Sequence, residues 1–391
     1  MRIAYVTETY PPEINGVAIT AERVVRHLRG AGHEVQLVRP RRPGEAPRRD
    51  EDEWRSAGAP IPRYPELRFG WARPGELRWL WRQEGARPDV VHAVTPGPLG
   101  WAALHAARQE GIATSADFRT NFHAYCEHYG LGWLQNIVLG HLRRLHGMAD
   151  CNFVPTAELG AQLAERGFER LHVLGRGVDA RLFTPARRDL ALREAWRASP
   201  GQRVLLHVGR LAPEKNAGLA LQTFERLSAR RPGLRMVVVG DGPLRARLER
   251  AHPRARFVGM QTGVALAKHY ASADVFLFPS LTDTFGNVTL EALSSGLAVA
   301  AFDTGAAAAH VRDGVSGCLA RRCEDGLAAA DAFLDAAMRA LDASDPDGPL
   351  RREARLAAAR ADWQGVLRGF EQQLCRVALA GAATTRHAAL A

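Results

Sequence analysis

Short apolar runs separated by amphipathic stretches recur along most of the chain, and this alternation limits the fold more than any other feature. Candidate strands fall at 3–7, 34–38, 90–94, 113–117, 152–154 and 172–174. A second series follows at 204–208, 235–239, 256–258, 275–278 and 298–301, with helical spacing at 21–31, 217–230 and 265–273. The strand runs are nearly continuous in Val, Leu and Ile, as expected of parallel strands covered by helices on both faces. An alternating order of this length favours two doubly wound domains over one open sheet. The expected fold class is α/β, with two doubly wound Rossmann-like domains.

The strand pattern lapses between Asp179 and Arg203, where Pro185 and Pro200 interrupt the chain and Arg187-Arg188-Asp189 reads as solvated. We therefore expect an N-terminal domain at 1–185 and a second Rossmann-like domain at 186–362. A C-terminal helix returning to the first domain, then a frayed tail, is expected at 363–391. The stretch 39–63 contains Arg41-Arg42-Pro43-Gly44 and Arg48-Arg49-Asp50-Glu51-Asp52-Glu53, and reads as a long exposed loop.

Composition adds exclusions. Of the 391 residues, 46% are hydrophobic and 24% charged, which argues against a disordered chain. No run approaches ~18 apolar residues, so no membrane span is expected. Five scattered cysteines without a CxxC argue against a disulfide framework or a zinc site and favour a reducing cytoplasm. The opening Met1-Arg2-Ile3-Ala4-Tyr5-Val6 reads as a buried strand rather than a signal peptide. The net charge of +10 suits an anionic partner. However, only two of the 52 basic residues are lysines, Lys215 and Lys268. A codon bias towards Arg and Ala would give the same charge, so charge alone assigns no partner. Lys215 stands out against that bias.

In doubly wound folds, ligands bind beyond the carboxyl ends of strands, beside helix N-termini. Three connections fit. The first strand runs through Pro11-Pro12-Glu13-Ile14-Asn15-Gly16-Val17 into a helix, and Gly16 would allow close backbone approach. Strand 204–208 leads into Gly209-Arg210-Leu211-Ala212-Pro213-Glu214-Lys215-Asn216, where a guanidinium fork and a compact ammonium can converge on a diphosphate. Strand 275–278 leads through Asp283, Phe285, Gly286 and Asn287 to Glu291, placing free amides and then a carboxylate at a helix start. The Gly240-Asp241-Gly242-Pro243 turn alone reads more readily as a packing turn. Asp50-Glu51-Asp52 and Asp345-Pro346-Asp347 lie away from strand ends, so no obligatory metal or cofactor is expected.

These motifs, in this order, resemble glycosyltransferase family 4, including bacterial lipid, mannosyl- and glucosyltransferases. The pattern is Gly209-Arg210 with Glu214-Lys215-Asn216, then Gly240–Pro243, the segment 271–280, and Phe285-Gly286 followed by Glu291. Asn15-Gly16-Val17 and Gly175-Arg176-Gly177-Val178-Asp179 extend the likeness, which runs to about Leu319. The resemblance implies a GT-B fold, two Rossmann-like domains facing across a cleft. It further implies a retaining, metal-independent hexosyltransferase moving a sugar from GDP-mannose or a UDP-hexose to a hydroxyl acceptor. Arg210 and Lys215 would hold the diphosphate, which Gly16 would meet from the first domain. Glu291 would hold the ribose, and Met260 would lie in the loop beside the base. Asp283, Phe285, Gly286 and Asn287 would approach the phosphates and the donor sugar.

The sequence departs from the family pattern in two places. Asp283 stands where the family has glutamate, and Arg119 stands where it often has an active-site histidine, with His123 four residues later. Either Arg119 or His123 takes that role. Asn121, His123 and Tyr125, with Phe118, Phe122, His128 and Tyr129, resemble the acceptor side of lipid-glycosylating enzymes. With the basic stretch 41–49, they imply a lipid or glycan acceptor and peripheral contact with an anionic membrane, on the inner face of the cell membrane, with no nucleic acid partner. Two other classes remain at this level: a nucleotide-sugar epimerase or hydrolase of the same fold, and a non-catalytic subunit that binds nucleotide sugars or membrane.

Overall fold

The computed structural model describes all residues except 14, 49–51, 62–63, 119–134, 282–284, 324 and 391, and the side chains of 61, 64–67, 135 and 384–390 are likewise outside it. Its described residues fall into two compact units: one reaches from Met1 to Leu174 and takes up Val366–Ala391, and the other spans Gly175–Gly365.

The first unit contains β1 (Arg2–Val6), α1 (Gly16–Gly30), β2 (Glu34–Pro40), β3 (Glu53–Ile61), β4 (Tyr64–Trp71) and α2 (Pro74–Trp81). It continues with β5 (Val90–Ala93), α3 (Pro98–Gln109), β6 (Ala113–Asp117), α4 (Gln135–Gly147), β7 (Cys151–Val154), α5 (Ala157–Glu165) and β8 (Leu171–Val173). The sheet order is β4-β3-β2-β1-β5-β6-β7-β8. Every pair is parallel except β3 with β4. The strand order reverses beside β1, so the β1–α1 connection lies at the position where such sheets bind ligands.

One expectation holds only in part. Within the stretch 39–63, residues 41–48 form a largely exposed loop, whereas Glu53–Ile61 is β3, which pairs with β2. Trp54 of β3 is buried beside Trp81, whose indole N–H donates to Gln36 Oε1 at 3.1 Å. Several of the described charges of this stretch pair with one another. Arg39 lies between Glu45 and Glu53, and Arg48 reaches Glu53 at 3.3 Å.

The second unit contains α6 (Leu190–Ala195), β9 (Val204–Val208), α7 (Ala217–Arg230), β10 (Arg235–Val239), α8 (Arg245–Ala251) and β11 (Ala255–Phe257). Then come α9 (Gly263–Ser272), β12 (Val275–Phe278), α10 (Asn287–Ser294), β13 (Ala298–Phe302), α11 (Gly305–His310), β14 (Cys318–Ala320), α12 (Gly326–Asp342) and α13 (Pro349–Ala359). The last helix, α14 (Trp363–Leu390), starts in this unit and belongs to the first from Val366 onward. The sheet is wholly parallel, in the order β11-β10-β9-β12-β13-β14. Alternate side chains enter two cores: Val204, Leu206 and Val208 face one, and Leu205 faces the other. Burial on both faces explains why β9 reads as an unbroken apolar run.

The division between the units falls at Leu174, earlier than residue 185. Val178 donates its amide to the Ala361 carbonyl at 2.9 Å, and Phe183 is buried in the second unit's core. A Cβ on Gly177 would lie 2.5 Å from the Trp363 nitrogen, so the Gly175–Asp179 motif serves a close backbone crossing. Among the described residues, no helix is long and apolar enough to cross a membrane.

Candidate functional site

Strand order in the second unit reverses between β9 and β12, so the connections leaving these neighbours define its ligand crevice. From β9 the chain passes Gly209 and Arg210, makes a single 3-10 turn over Pro213–Lys215, and enters α7 through Asn216 in the left-handed conformation (φ 51°). Arg210 is exposed and Lys215 partly buried, both on this one connection. Asn216 Nδ2 donates to the Pro279 carbonyl at 3.4 Å, and the Ser280 hydroxyl donates to the Glu214 carbonyl at 3.3 Å. These bonds fasten the β9 connection to the β12 connection.

The glycines of the Gly240–Pro243 turn serve this fastening. A Cβ on Gly240 (φ +136°) would lie 1.9 Å from the Gly209 carbonyl oxygen, and one on Gly242 would lie 2.5 Å from that of Leu211. Gly209 and Leu211 donate back to Val239 and Asp241 at 3.0 and 2.9 Å. The turn thus shapes the backbone on which Arg210 sits. Met260 is 59% exposed in the loop after β11, whose Gly259 carbonyl accepts the Gly240 amide at 2.8 Å.

Beyond β12, Phe285 is buried against His310, ring centroids 5.8 Å apart, and its carbonyl accepts the Ala306 amide at 2.6 Å. The Phe285 side chain therefore supports the fold rather than facing a ligand, a narrower part than the sequence implied. Gly286 takes φ +89°, and among the described residues no side chain caps α10, whose start can offer amides to an anion. Asn287 opens α10, its side-chain Oδ1 buried and without a hydrogen-bond partner among the described residues.

Glu291 lies one turn into α10, partly buried, and accepts a hydrogen bond from the Tyr270 hydroxyl at 2.9 Å. Burial raises its pKa to about 7, with the Tyr270 bond pulling the other way. Burial and the facing carboxylate push the Tyr270 phenol well above its usual range. Tyr270 was missed in the sequence, where it reads as one more apolar position of α9. A buried hydroxyl of this kind needs a partner, and this was the available signal.

In the first unit, Gly16 is exposed at the start of α1. Asn15 caps the helix, accepting from the Val17 and Ala18 amides at 3.1 and 2.8 Å. Glu8, also missed in the sequence, is buried at the end of β1 and accepts the Leu99 amide at 3.1 Å; burial raises its pKa to about 7. Phe118 is a core residue, edge-on to Phe168 at 5.7 Å. Arg119, Asn121, Phe122, His123, Tyr125, His128, Tyr129 and Asp283 lie outside the described residues. Among the described residues, no three His, Cys, Asp or Glu side chains come together as a metal site.

Residues 14–182 match the family described as Glycosyltransferase Family 4, and residues 202–341 match Glycosyl transferases group 1. A GDP-mannose-dependent alpha-mannosyltransferase of Mycolicibacterium smegmatis is 39% identical over 312 residues, covering 78% of this chain and 80% of its own. A GDP-mannose-dependent alpha-(1-6)-phosphatidylinositol dimannoside mannosyltransferase of Mycobacterium tuberculosis is 28% identical, covering 93% of each chain. Among solved structures, sucrose-phosphate synthase of Thermosynechococcus elongatus superposes with a TM-score of 0.76 at 18% identity, over 97% of this chain and 99% of its own.

Proposed function

Because this chain belongs to glycosyltransferase family 4 and is a GT-B glycosyltransferase that uses a nucleotide sugar, we propose that it is a retaining, metal-independent mannosyltransferase. Its donor on this reading is GDP-mannose, and its acceptor a hydroxyl of a lipid or lipid-linked glycan. The identity to the mannosyltransferase of M. smegmatis supports the donor, and the phosphatidylinositol dimannoside enzyme supports the acceptor class. Family membership sets aside the epimerase, hydrolase and non-catalytic readings.

The observation that carries the reading is the joined pair of connections after β9 and β12. They join the stretch that carries an arginine and a lysine to a helix start that no described side chain caps, with a carboxylate one turn inward. A diphosphate matches the cations and the amides of Gly286 and Asn287, and ribose hydroxyls match Glu291. Gly16 keeps the donor role that the resemblance implies, and Met260 the position beside the base. Asp283 keeps the donor sugar, and Arg119 or His123, with Asn121 and Tyr125, the acceptor side.

In the proposed reaction, the bond from the sugar's anomeric carbon to the diphosphate breaks, and the acceptor oxygen bonds to that carbon on the same face. The acceptor proton passes to the departing phosphate oxygen, so no protein nucleophile is required. Arg210, Lys215 and the start of α10 stabilise the charge that develops on the diphosphate. Basic side chains do here what a divalent ion does elsewhere. On this reading the protein works at the inner face of the cell membrane and adheres peripherally.

Thermal shifts with GDP-mannose, UDP-glucose and ADP-glucose test the donor, since a ligand of the native state raises apparent stability by mass action. GDP-mannose should give the largest shift, and GDP release should require an added acceptor. A larger shift with a UDP or ADP sugar, or equal release without acceptor, would overturn the reading.

A further inference from the structure

The segment that reads in sequence as a solvated basic loop is built as a clamp. At the end of β2, Arg39 is 5% exposed and donates Nη1 and Nη2 to the two oxygens of Glu45 at 2.7 and 2.9 Å. Its Nε donates to Glu53 at 2.8 Å. The Arg39 guanidinium holds the Glu45 carboxyl at about 2, so Glu45 is a fixed anion. Glu45 accepts the Arg42 backbone amide at 3.0 Å and approaches Arg42 Nη1 at 3.4 Å.

Arg42, held in this way, reaches the β1–α1 connection. Its Nη2 donates to the carbonyl oxygens of Tyr10 and Pro11 at 2.5 and 2.6 Å, and its Nε lies 3.8 Å from Glu13 Oε1. The bonds run on through that connection. The Thr9 hydroxyl donates to Glu13 Oε2 at 2.5 Å, and Asn15 Nδ2 donates to Thr9 Oγ1 at 2.7 Å. With its amide nitrogen so engaged, Asn15 turns Oδ1 towards the Val17 and Ala18 amides and caps α1, whose first residue is Gly16. An unbroken set of contacts therefore links Arg39 to the helix start.

Backbone pairing cannot supply the same restraint. Among the described residues, the backbone bond within Tyr10–Glu13 is a long one, from the Glu13 amide to the Tyr10 carbonyl at 3.4 Å. Nη2 alone bonds the two adjacent carbonyls, while Nη1 and Nε face Glu45 and Glu13, so one planar guanidinium replaces missing main-chain bonds and is anchored along its other edges. A solvated arginine has no use for such a seat.

We propose that Arg42 is a positioning residue for sugar transfer: through Tyr10, Pro11, Glu13 and Asn15 it holds the 9–16 connection in its donor-binding form. The proposal rests on the reading that Gly16 meets the donor. If the clamp is removed and the competent form falls to between about a tenth and a hundredth of the population, apparent donor affinity falls by the same factor. Saturating donor restores the competent form, so the turnover number changes little. A purely structural loss would instead lower the amount of active enzyme and spare KM.

The test measures steady-state kinetics and amide hydrogen exchange on the full chain for Arg42→Ala, Arg42→Lys and Glu45→Gln, beside Gly16→Val. Arg42→Ala should raise the donor KM about tenfold or more, keep kcat within about threefold, and speed exchange in peptides covering 9–20 but not in β9 or β12. Arg42→Lys should recover part of the KM, since an ammonium can bond the carbonyls without the fork. Glu45→Gln should move KM the same way by less, which keeps the test decisive if Arg42→Ala does not fold. Gly16→Val raising KM while the Arg42 and Glu45 variants leave both KM and exchange unchanged would overturn the positioning role alone. Gly16→Val leaving KM unchanged would remove the reading of Gly16, and the proposal with it.

Discussion

The hydroxyl of Tyr270 donates to Oε2 of Glu291 at 2.9 Å, tying a buried phenol on α9 to a carboxylate on α10. The pair sits where burial opposes a carboxylate's charge and one hydrogen bond defends it. The net result is a Glu291 pKa raised to about 7, a group that is partly neutral in the free protein at ordinary pH. On the proposed reading the ionised form, an acceptor at both oxygens and charged, binds ribose hydroxyls better than the neutral acid.

Donor kcat/KM should therefore rise with pH between 6 and 8, by up to about tenfold as Glu291 goes from mostly protonated to mostly ionised. Glu8 titrates in the same range, so the assignment is made with Glu291→Gln, whose profile should be lower and flatter. Tyr270→Phe removes the bond that favours the anion and should move the rise to higher pH. A pH profile for Tyr270→Phe that overlays the parent's would disprove the coupling.

The same shift sets a stability trend of known sign. The native state holds a proton on Glu291 between the usual carboxylate pKa and about 7, while the unfolded state has lost it. Stability from this group is full below about pH 4.5 and lost as pH rises through 7. Glu291→Gln should therefore gain on the parent by about 2 kcal/mol at pH 8 relative to pH 4.5, less than the full shift because the group is only partly buried. Urea unfolding at the two pH values measures the difference, and equal differences at both would contradict the raised pKa.

Lys215→Ala should lower kcat/KM by two to three decades, corresponding to roughly 2–4 kcal/mol of transition-state stabilisation, with little change in melting temperature. Its carbon chain is only partly buried, so folding loses little. Rates within threefold of the parent would remove it from the diphosphate site. Addition of EDTA to the parent should leave turnover unchanged, and magnesium-restored loss would mean that a metal shares this task.

How far the sequence could be read depended on what each segment buries. The run 204–208 could be read to the residue because both faces of β9 are covered, leaving no room for polar interruptions. β3 could not, since its sequence begins at a charge run and includes Gly58 and Pro60. Its cover comes from the Arg39–Glu53 pair and from Trp54, which are neighbours in space but distant in the pattern. The site behaved likewise. Arg210, Lys215, Gly286 and Glu291 sit beside strand ends and helix starts, where position alone suggests chemistry. Tyr270 and Arg42 bond to partners 21 and 32 residues away, which no spacing reveals.

Gly240 offers a test of the fold at the site's edge. A Cβ there would overlap the Gly209 carbonyl, and φ +136° is strained for any side chain. Gly240→Ala should destabilise by about 2–4 kcal/mol, because the rigid obstacle is backbone. Thermal unfolding checks this, and a melting temperature within two degrees of the parent would show that the turn can yield.

Membrane adhesion, on the proposed reading, would come from charge that is not neutralised by internal pairing. The net charge is +10, and each basic residue near an anionic surface adds about 1 kcal/mol. Arg39 and Arg42 contribute little, since Glu45, Glu53 and Glu13 already face them. Arg41 is exposed on the same stretch. Co-sedimentation with anionic vesicles at low salt should exceed that with neutral ones and weaken towards 1 M salt, where the Debye length shrinks to about 3 Å. Arg41→Ala should reduce it more than Arg42→Ala. The reverse order would mean that the Arg42 clamp opens at the membrane, and equal binding to both vesicle types would leave the net charge with no part in adhesion.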